Sequence, residues 1–264
     1  MRVWRRWPAG GGGARGHAGA RAGAGAGARA GEGARAGAGA RAYAAARVAP
    51  ASTPWREASY CVVDLELSSL DRRAGEIVSF AALPIDDGRV RLDGVVSGLV
   101  RPTRPLAEEA IRVHGIRAAD LAQAPEGASA LDPLLGAMAG RVLVAHHAPV
   151  ERAFLGGALR NVGLRLRGPV LDTAVIARIW LAERDGELPP RMDLGAFARA
   201  CGLPIHSPHT AAGDALTTAQ LFVVAAAQLD ARSPETVGRL ARGERRLANL
   251  EAYWPRQGEG PPRR

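Results

Sequence analysis

The sequence predicts an α/β domain, a mixed sheet flanked by helices, and three observations predict it. Apolar, strand-like runs follow one another between residues 59 and 100, with the turn signal Asp86-Asp87-Gly88 joining the second to the third. Beyond residue 100, short apolar runs alternate with stretches of helical period. Hydrophobic residues make up 47% of the 264, enough for a sizeable core.

The elements follow in order. Residues 8–48 are built mainly of Gly, Ala and Arg, a composition that cannot bury enough surface to offset the entropy of ordering. Residues 1–56 are therefore expected to be a disordered extension, either merely solvated or a polycationic arm for nucleic acid. Strands are predicted over 59–67, 76–85 and 89–100, and helices near 106–113 and 128–139. "RVLVAHH" (141–147) reads as a short buried strand and 150–160 as a helix. "GPVLDT" (168–173) reads as a fifth strand running into a helix over 174–183. Further helices are predicted over 191–200 and 210–229. Residues 57–230 form the predicted domain, and 231–264 an Arg-rich helix and tail.

Charge narrows the class. The net charge is +9, but residues 1–60 hold ten arginines against Glu32 and Glu57, whereas the rest holds 25 arginines against 24 acids. The predicted domain is thus nearly neutral. Lysine is absent, and Arg, Ala and Gly dominate, as a GC-rich gene would dictate. Cys61 and Cys201 give no disulfide framework and read as reduced thiols of a cytoplasmic protein. No apolar run reaches membrane-span length, and no secretory signal core is present. The N-terminus is Arg-rich and acid-poor, as transit peptides are, but its glycines oppose an amphipathic helix.

The chemistry is concentrated in carboxylates placed where a core should be. In "YCVVDLELSSL" (60–70), strand alternation puts Asp64 and Glu66 on one face and Val63, Leu65 and Leu67 on the other. Two acids on one face repel and are costly to desolvate, so they need a wet strand end or a cation. Glu151 falls on the apolar stripe of Phe154, Leu155, Ala158 and Leu159, where it is either a helix N-terminal acid or a paired one. Asp214 shares a helix face with Thr217, Thr218, Leu221 and Phe222, and His209 precedes it by five positions at the start of that helix. His206 and His209 lack further ligands for zinc. His114 in "VHGI" is either a cleft residue or a helix-end residue.

"VVDLEL…EIVSFAALPI", "VLVAHHAPVERAFL" and "HTAAGDALTTAQLF" occur in the order and at the approximate spacing of the three motifs of the DEDDh 3′–5′ exonucleases. That family includes the proofreading epsilon subunit of bacterial DNA polymerase III. The resemblance covers about residues 57–228 and includes the segment "RPTRPLAEEAIRVHGI". It implies an RNase H-like fold with a five-stranded mixed sheet. It also implies hydrolysis of phosphodiester bonds at single-stranded 3′ ends of DNA or RNA, releasing nucleoside 5′-monophosphates. By position, Asp64 matches the carboxylate bridging two divalent ions, Glu66 and Asp214 match ligands of the first ion, Glu151 stands where Asp is usual, and His209 matches the general base. Hard oxygen ligands suit Mg²⁺ or Mn²⁺, and two such ions can clamp an in-line displacement.

The sequence departs from the family pattern at three places. Glu151 is one methylene longer than Asp, His147 replaces the usual Asn, and Leu67-Ser68-Ser69 replaces Thr-Thr-Gly ahead of the matching Leu70. The resemblance places Leu67, Ser68, Ser69, Leu70 and His147 against the substrate. A DNA polymerase is an implied partner; a membrane is not. The alternative reading is a catalytically weak or inactive module that binds nucleic acid or a polymerase.

Overall fold

The computed structural model describes residues 37–253. In chain order these form α1 (Ala38–Ala45), β1 (Tyr60–Leu67), β2 (Ile77–Asp86), β3 (Arg89–Val90), β4 (Val96–Leu99), α2 (Glu108–His114), α3 (Ala118–Leu121) and α4 (Gly127–Met138). Then follow β5 (Val142–Ala145), α5 (Pro149–Asn161), β6 (Val170–Asp172), α6 (Thr173–Asp185), α7 (Leu194–Ala200), α8 (Ala211–Arg232), α9 (Val237–Ala241) and α10 (Gly243–Tyr253).

One mixed sheet runs in the order β3-β2-β1-β5-β6, with β4 also pairing to β2. β1 and β2 are antiparallel; β1, β5 and β6 are parallel. The alternation of β1 divides two cores. Tyr60 and Val62 pack with Trp180, Phe222 and other residues of α6 and α8. Cys61, Val63, Leu65 and Leu67 pack with α4 and α5 through residues such as Leu134 and Leu155. This is the two-faced strand that the sequence pattern dictates.

The expected third strand, 89–100, is broken. A 3₁₀ turn over Leu92–Gly94 splits it into β3 and β4, both paired to β2. Asp93-Gly94 is the turn signal responsible, and a Cβ on Gly94 would stand 2.9 Å from the Pro84 ring.

The chain is also ordered earlier than composition suggests. Residues 1–36 of the expected disordered extension lie outside the described residues, but 38–45 form α1, packed on α4. Asp132 of α4 accepts the Gly39 and Ala40 N–H groups at 2.9 Å each. Only glycine fits at 39, since a Cβ would lie 1.9 Å from the Asp132 carbonyl oxygen. Tyr43 supplies the large buried group, its hydroxyl accepting from the Arg167 N–H at 3.0 Å. Close backbone approach with a single aromatic anchor thus replaces an apolar stripe. At the other end, Val237, Leu240 and Leu247 of α9 and α10 join the core, and Arg246 bonds both Glu183 and Glu235. The tail from 254 lies outside the described residues.

Candidate active site

The carboxylates converge at the C-terminal ends of the parallel strands. β5 pairs with β1 only along Tyr60, Cys61 and Val62, so Asp64 and Glu66 continue past the end of β5. On the other side they face Ala81 and Ser79 of β2, whose small side chains leave room. A register irregularity between Glu66 and Leu67 ends the regular pairing.

α8 covers this face of β1 and brings its first turn over the two acids. Thr210 caps the helix, its hydroxyl accepting from the Gly213 N–H at 3.2 Å and donating to the Ser207 carbonyl at 2.7 Å. Gly213 permits the close approach of loop and helix, because a Cβ there would sit 2.2 Å from the His206 carbonyl oxygen. Asp214 follows it. Oxygen atoms of Asp64, Glu66 and Asp214 all lie within 4.8 Å of one another.

That convergence has an electrostatic consequence. Burial, then the charges of Glu151, Asp214 and Glu66, hold the Asp64 carboxyl well above the usual carboxylate range. Burial and Asp214 push Glu66 up to about 7. Burial also raises Asp214, against two opposing effects of His209, the hydrogen bond from its N–H and its charge. Three carboxylates so placed are intolerable as bare anions; the donor set fits a hard divalent cation.

Glu151 enters from the opposite side of β1. It lies in the first turn of α5, 6% exposed, while Phe154, Leu155 and Leu159 of the same helix face the core. Burial raises it to about 8, and its Oε2 has no hydrogen-bond partner among the described residues. It stands outside the group of three but is felt by Asp64. A buried carboxylate oxygen without a hydrogen-bond partner is costly and calls for a compensating group.

The turn that delivers Glu151 depends on Asp172, which the sequence reading took only as the end of a strand. Its Oδ1 accepts from the N–H groups of His147 (3.1 Å) and Ala174 (2.9 Å), and its Oδ2 from that of Ala148 (3.1 Å). It therefore caps α6 and holds the β5–α5 turn, where His147 is left-handed at φ +59°. An acid between an apolar run and a helical pattern was the available signal.

His209 lies in the turn before α8, left-handed at φ +61°, with its side chain exposed. His147, exposed, and Ser69, partly exposed, flank the pocket's chain segments, and Leu70 is 77% exposed. Two residues expected at the substrate are instead withdrawn: the Leu67 side chain is in the core, and Ser68, 1% exposed, uses its hydroxyl to accept the Glu76 N–H at 2.9 Å. His114 ties the 108–116 segment to the end of β1, contacting the Leu67 carbonyl through Nε2 (3.3 Å) and accepting the Ile116 N–H at Nδ1 (3.0 Å). His206 is taken by Gln220 (3.2 Å), in line with the rejection of a zinc pair.

An antiparallel β1–β2 pair continued by parallel β5 and β6, with acids at the strand ends, defines a nuclease-like class, and the comparisons agree. The exonuclease (RNase T) family pattern matches residues 61–222, and the chain belongs to that family. A DNA polymerase III subunit epsilon-like protein of Rhodobacter capsulatus is 33% identical over 205 residues, 76% of this chain and 28% of the relative. A PolC-type DNA polymerase III of Thermotoga petrophila is 28% identical over 170 residues, 64% of this chain. The chain spans about a quarter of the first relative and 12% of the second. Among solved structures, exonuclease X in complex with 5′ overhanging duplex DNA superposes with TM-score 0.53 at 23% identity, covering 70% of this chain and 98% of the other. E. coli exonuclease I in complex with a dA16 oligonucleotide gives TM-score 0.57 at 14% identity, covering 73% and 45%. The fold is RNase H-like.

Proposed function

We propose that this chain is a metal-dependent 3′–5′ exonuclease acting on single-stranded 3′ ends of DNA, with RNA as a second substrate class, and releasing nucleoside 5′-monophosphates. The observation that carries the reading is the meeting of Asp64, Glu66 and Asp214, from β1 and α8, within 4.8 Å at an open strand end. Family membership and exonuclease neighbours support it.

Asp64, Glu66 and Asp214, with Glu151, would hold two divalent ions, Mg²⁺ or Mn²⁺. When bound, such ions neutralise charge on the attacking and leaving oxygens of an in-line displacement. His209, exposed beside Asp214, takes the proton of the attacking water, a role to which an imidazole is suited near neutrality. Water adds to phosphorus, and the 3′-oxygen of the penultimate nucleotide leaves and is protonated. Ser69, Leu70 and His147 contact the terminal nucleotide.

A non-catalytic binding module is disfavoured, since it has no use for three mutually repelling, desolvated acids. The epsilon-like and PolC-type relatives support a DNA polymerase as partner. The compartment is the cytoplasm. Cys61 and Cys201 are unpaired, with burial pushing their thiols up to about 12 and about 11. No helix among the described residues is long and apolar enough to cross a membrane.

The test is a 5′-labelled oligonucleotide, DNA or RNA, incubated with Mg²⁺ or Mn²⁺. The reading expects a ladder shortening from the 3′ end, mononucleotide product and complete arrest by EDTA. Internal cuts, or cleavage undiminished by EDTA, would refute it.

A further inference from the structure

We infer that an arginine-lined groove along α5 holds the sugar–phosphate backbone of the nucleic-acid strand whose 3′ end lies at the carboxylates; the inference rests on the function proposed above. Two neighbouring clefts, of about 520 Å³ and about 670 Å³, share Arg152 and Arg160 in their walls. Arg72 lines the first and Arg165 the second. All four arginines are exposed, and none pairs with a carboxylate among the described residues. By contrast, Arg178 pairs with Glu251, and Arg246 with Glu183 and Glu235.

The arrangement follows from helix geometry. Arg152, Gly156 and Arg160 recur at i, i+4 and i+8, a stripe along about 12 Å of α5. Gly156 lets the Arg160 guanidinium lie close to the helix, a Cβ there standing 3.5 Å from its Nη1. Glu151, Phe154, Leu155 and Leu159 occupy the buried side, so one helix presents a ligand carboxylate inward and cations outward. The first cleft begins at the turn that carries Glu151, because Ala148 and Asp172, which fix the β5–α5 turn, line it.

Charge selects the occupant. Against four arginines the lining offers only Asp172, already accepting three N–H groups, and Glu244. A surplus of exposed guanidinium groups along neighbouring clefts matches a chain of phosphates, which arginine binds through its planar fork. The opposite wall, Leu240 to Glu244, comes from α9 and α10, outside the 61–222 region matched by the family pattern.

The test uses the full chain and a triple variant, Arg152→Ala, Arg160→Ala and Arg165→Ala. Fluorescence anisotropy in EDTA reads binding of labelled DNA and RNA of about 20 nucleotides across salt, and cleavage with Mg²⁺ is measured on a dinucleotide too short to enter the groove. The expected result is roughly tenfold weaker binding of the long strands and a salt slope shallower by about 2, near 0.7 per lost phosphate contact, with dinucleotide cleavage and melting temperature unchanged. Preferential loss on one polymer would assign the groove to DNA or to RNA. Unchanged affinity and slope, or equal losses on dinucleotide and long strand, would overturn the inference. Absence of cleavage in the parent protein would refute the exonuclease reading and leave the binding measurement to decide on the groove.

Discussion

The backbone N–H of His209 donates to Oδ2 of Asp214 at 2.9 Å, so the residue read as base and the residue read as ligand hold each other across the cap of α8. The bond fixes one carboxylate oxygen and leaves the other for a cation. It also keeps His209 in its left-handed conformation, a backbone state that Asn tolerates better than Ala. His209→Asn should therefore retain the parent melting temperature while kcat falls about 10²–10⁴-fold, the usual contribution of a general base. Steady-state rates on an oligonucleotide with a parallel thermal melt check this; parent-level turnover would remove His209 from the chemistry.

Stability should depend on pH in a direction opposite to that of ordinary paired carboxylates. Glu66 is raised to about 7 and Glu151 to about 8, from the ordinary carboxyl value of 4.5. Between those limits the native state binds more protons than the unfolded chain, so its stability falls as pH rises. In EDTA the melting temperature should drop from about pH 4.5 to about pH 8 and then level off. Saturating Mg²⁺ or Mn²⁺ should flatten the slope, since ions replace the protons. A melting temperature in EDTA that climbs across this window would contradict the buried acidic pocket.

Glu151→Gln separates stability from function. Removing a buried charge with no hydrogen-bond partner at Oε2 should raise the metal-free melting temperature at pH 8 and above. The same change should weaken metal binding by roughly 10–100-fold, the range seen when a supporting ligand contact is lost. Glu151→Asp tests the longer side chain: restored activity would show that either length reaches the site, and a loss would show that α5 is set for Glu.

Much of this was legible in the sequence, and the failures have physical causes. Alternation in 60–67 separated Asp64 and Glu66 from the core side chains because β1 is buried on both faces. The hydrophobic stripe placed Glu151 inward because α5 follows the regular helical period. Ordering of 38–45 was missed because composition measures hydrophobicity, whereas α1 is held by close Gly and Ala approach, the Asp132 carboxylate and Tyr43. The resemblance placed Leu67 and Ser68 at the substrate by position in the motif, and position says nothing about which way a side chain turns once the pairing becomes irregular.

Asp172 should prove a positioning residue. Asp172→Ala leaves the N–H groups of His147, Ala148 and Ala174 without their acceptor, costing about 1–3 kcal/mol. Because the β5–α5 turn carries Glu151, activity should fall in parallel, with Asn recovering part of both. Denaturant melts and rates on the two variants check this; full activity in the alanine variant would uncouple the turn from the site.

α1 offers a test of the revised boundary. Tyr43→Ala should destabilise the protein by about 3–5 kcal/mol, as for other buried aromatics, whereas Tyr43→Phe should cost about 1 kcal/mol for the hydrogen bonds to Arg165 and Arg167. Urea denaturation measures both, and an unchanged midpoint for the alanine variant would return α1 to the solvated extension.

The most direct test of the central claim is Mn²⁺ titration followed by electron paramagnetic resonance, on the parent protein and on Asp64→Asn. If Asp64, Glu66 and Asp214 share their ions, the parent should take up two Mn²⁺ per chain and the variant should bind at least 10-fold more weakly. Equal Mn²⁺ affinity and stoichiometry in the two proteins would contradict it.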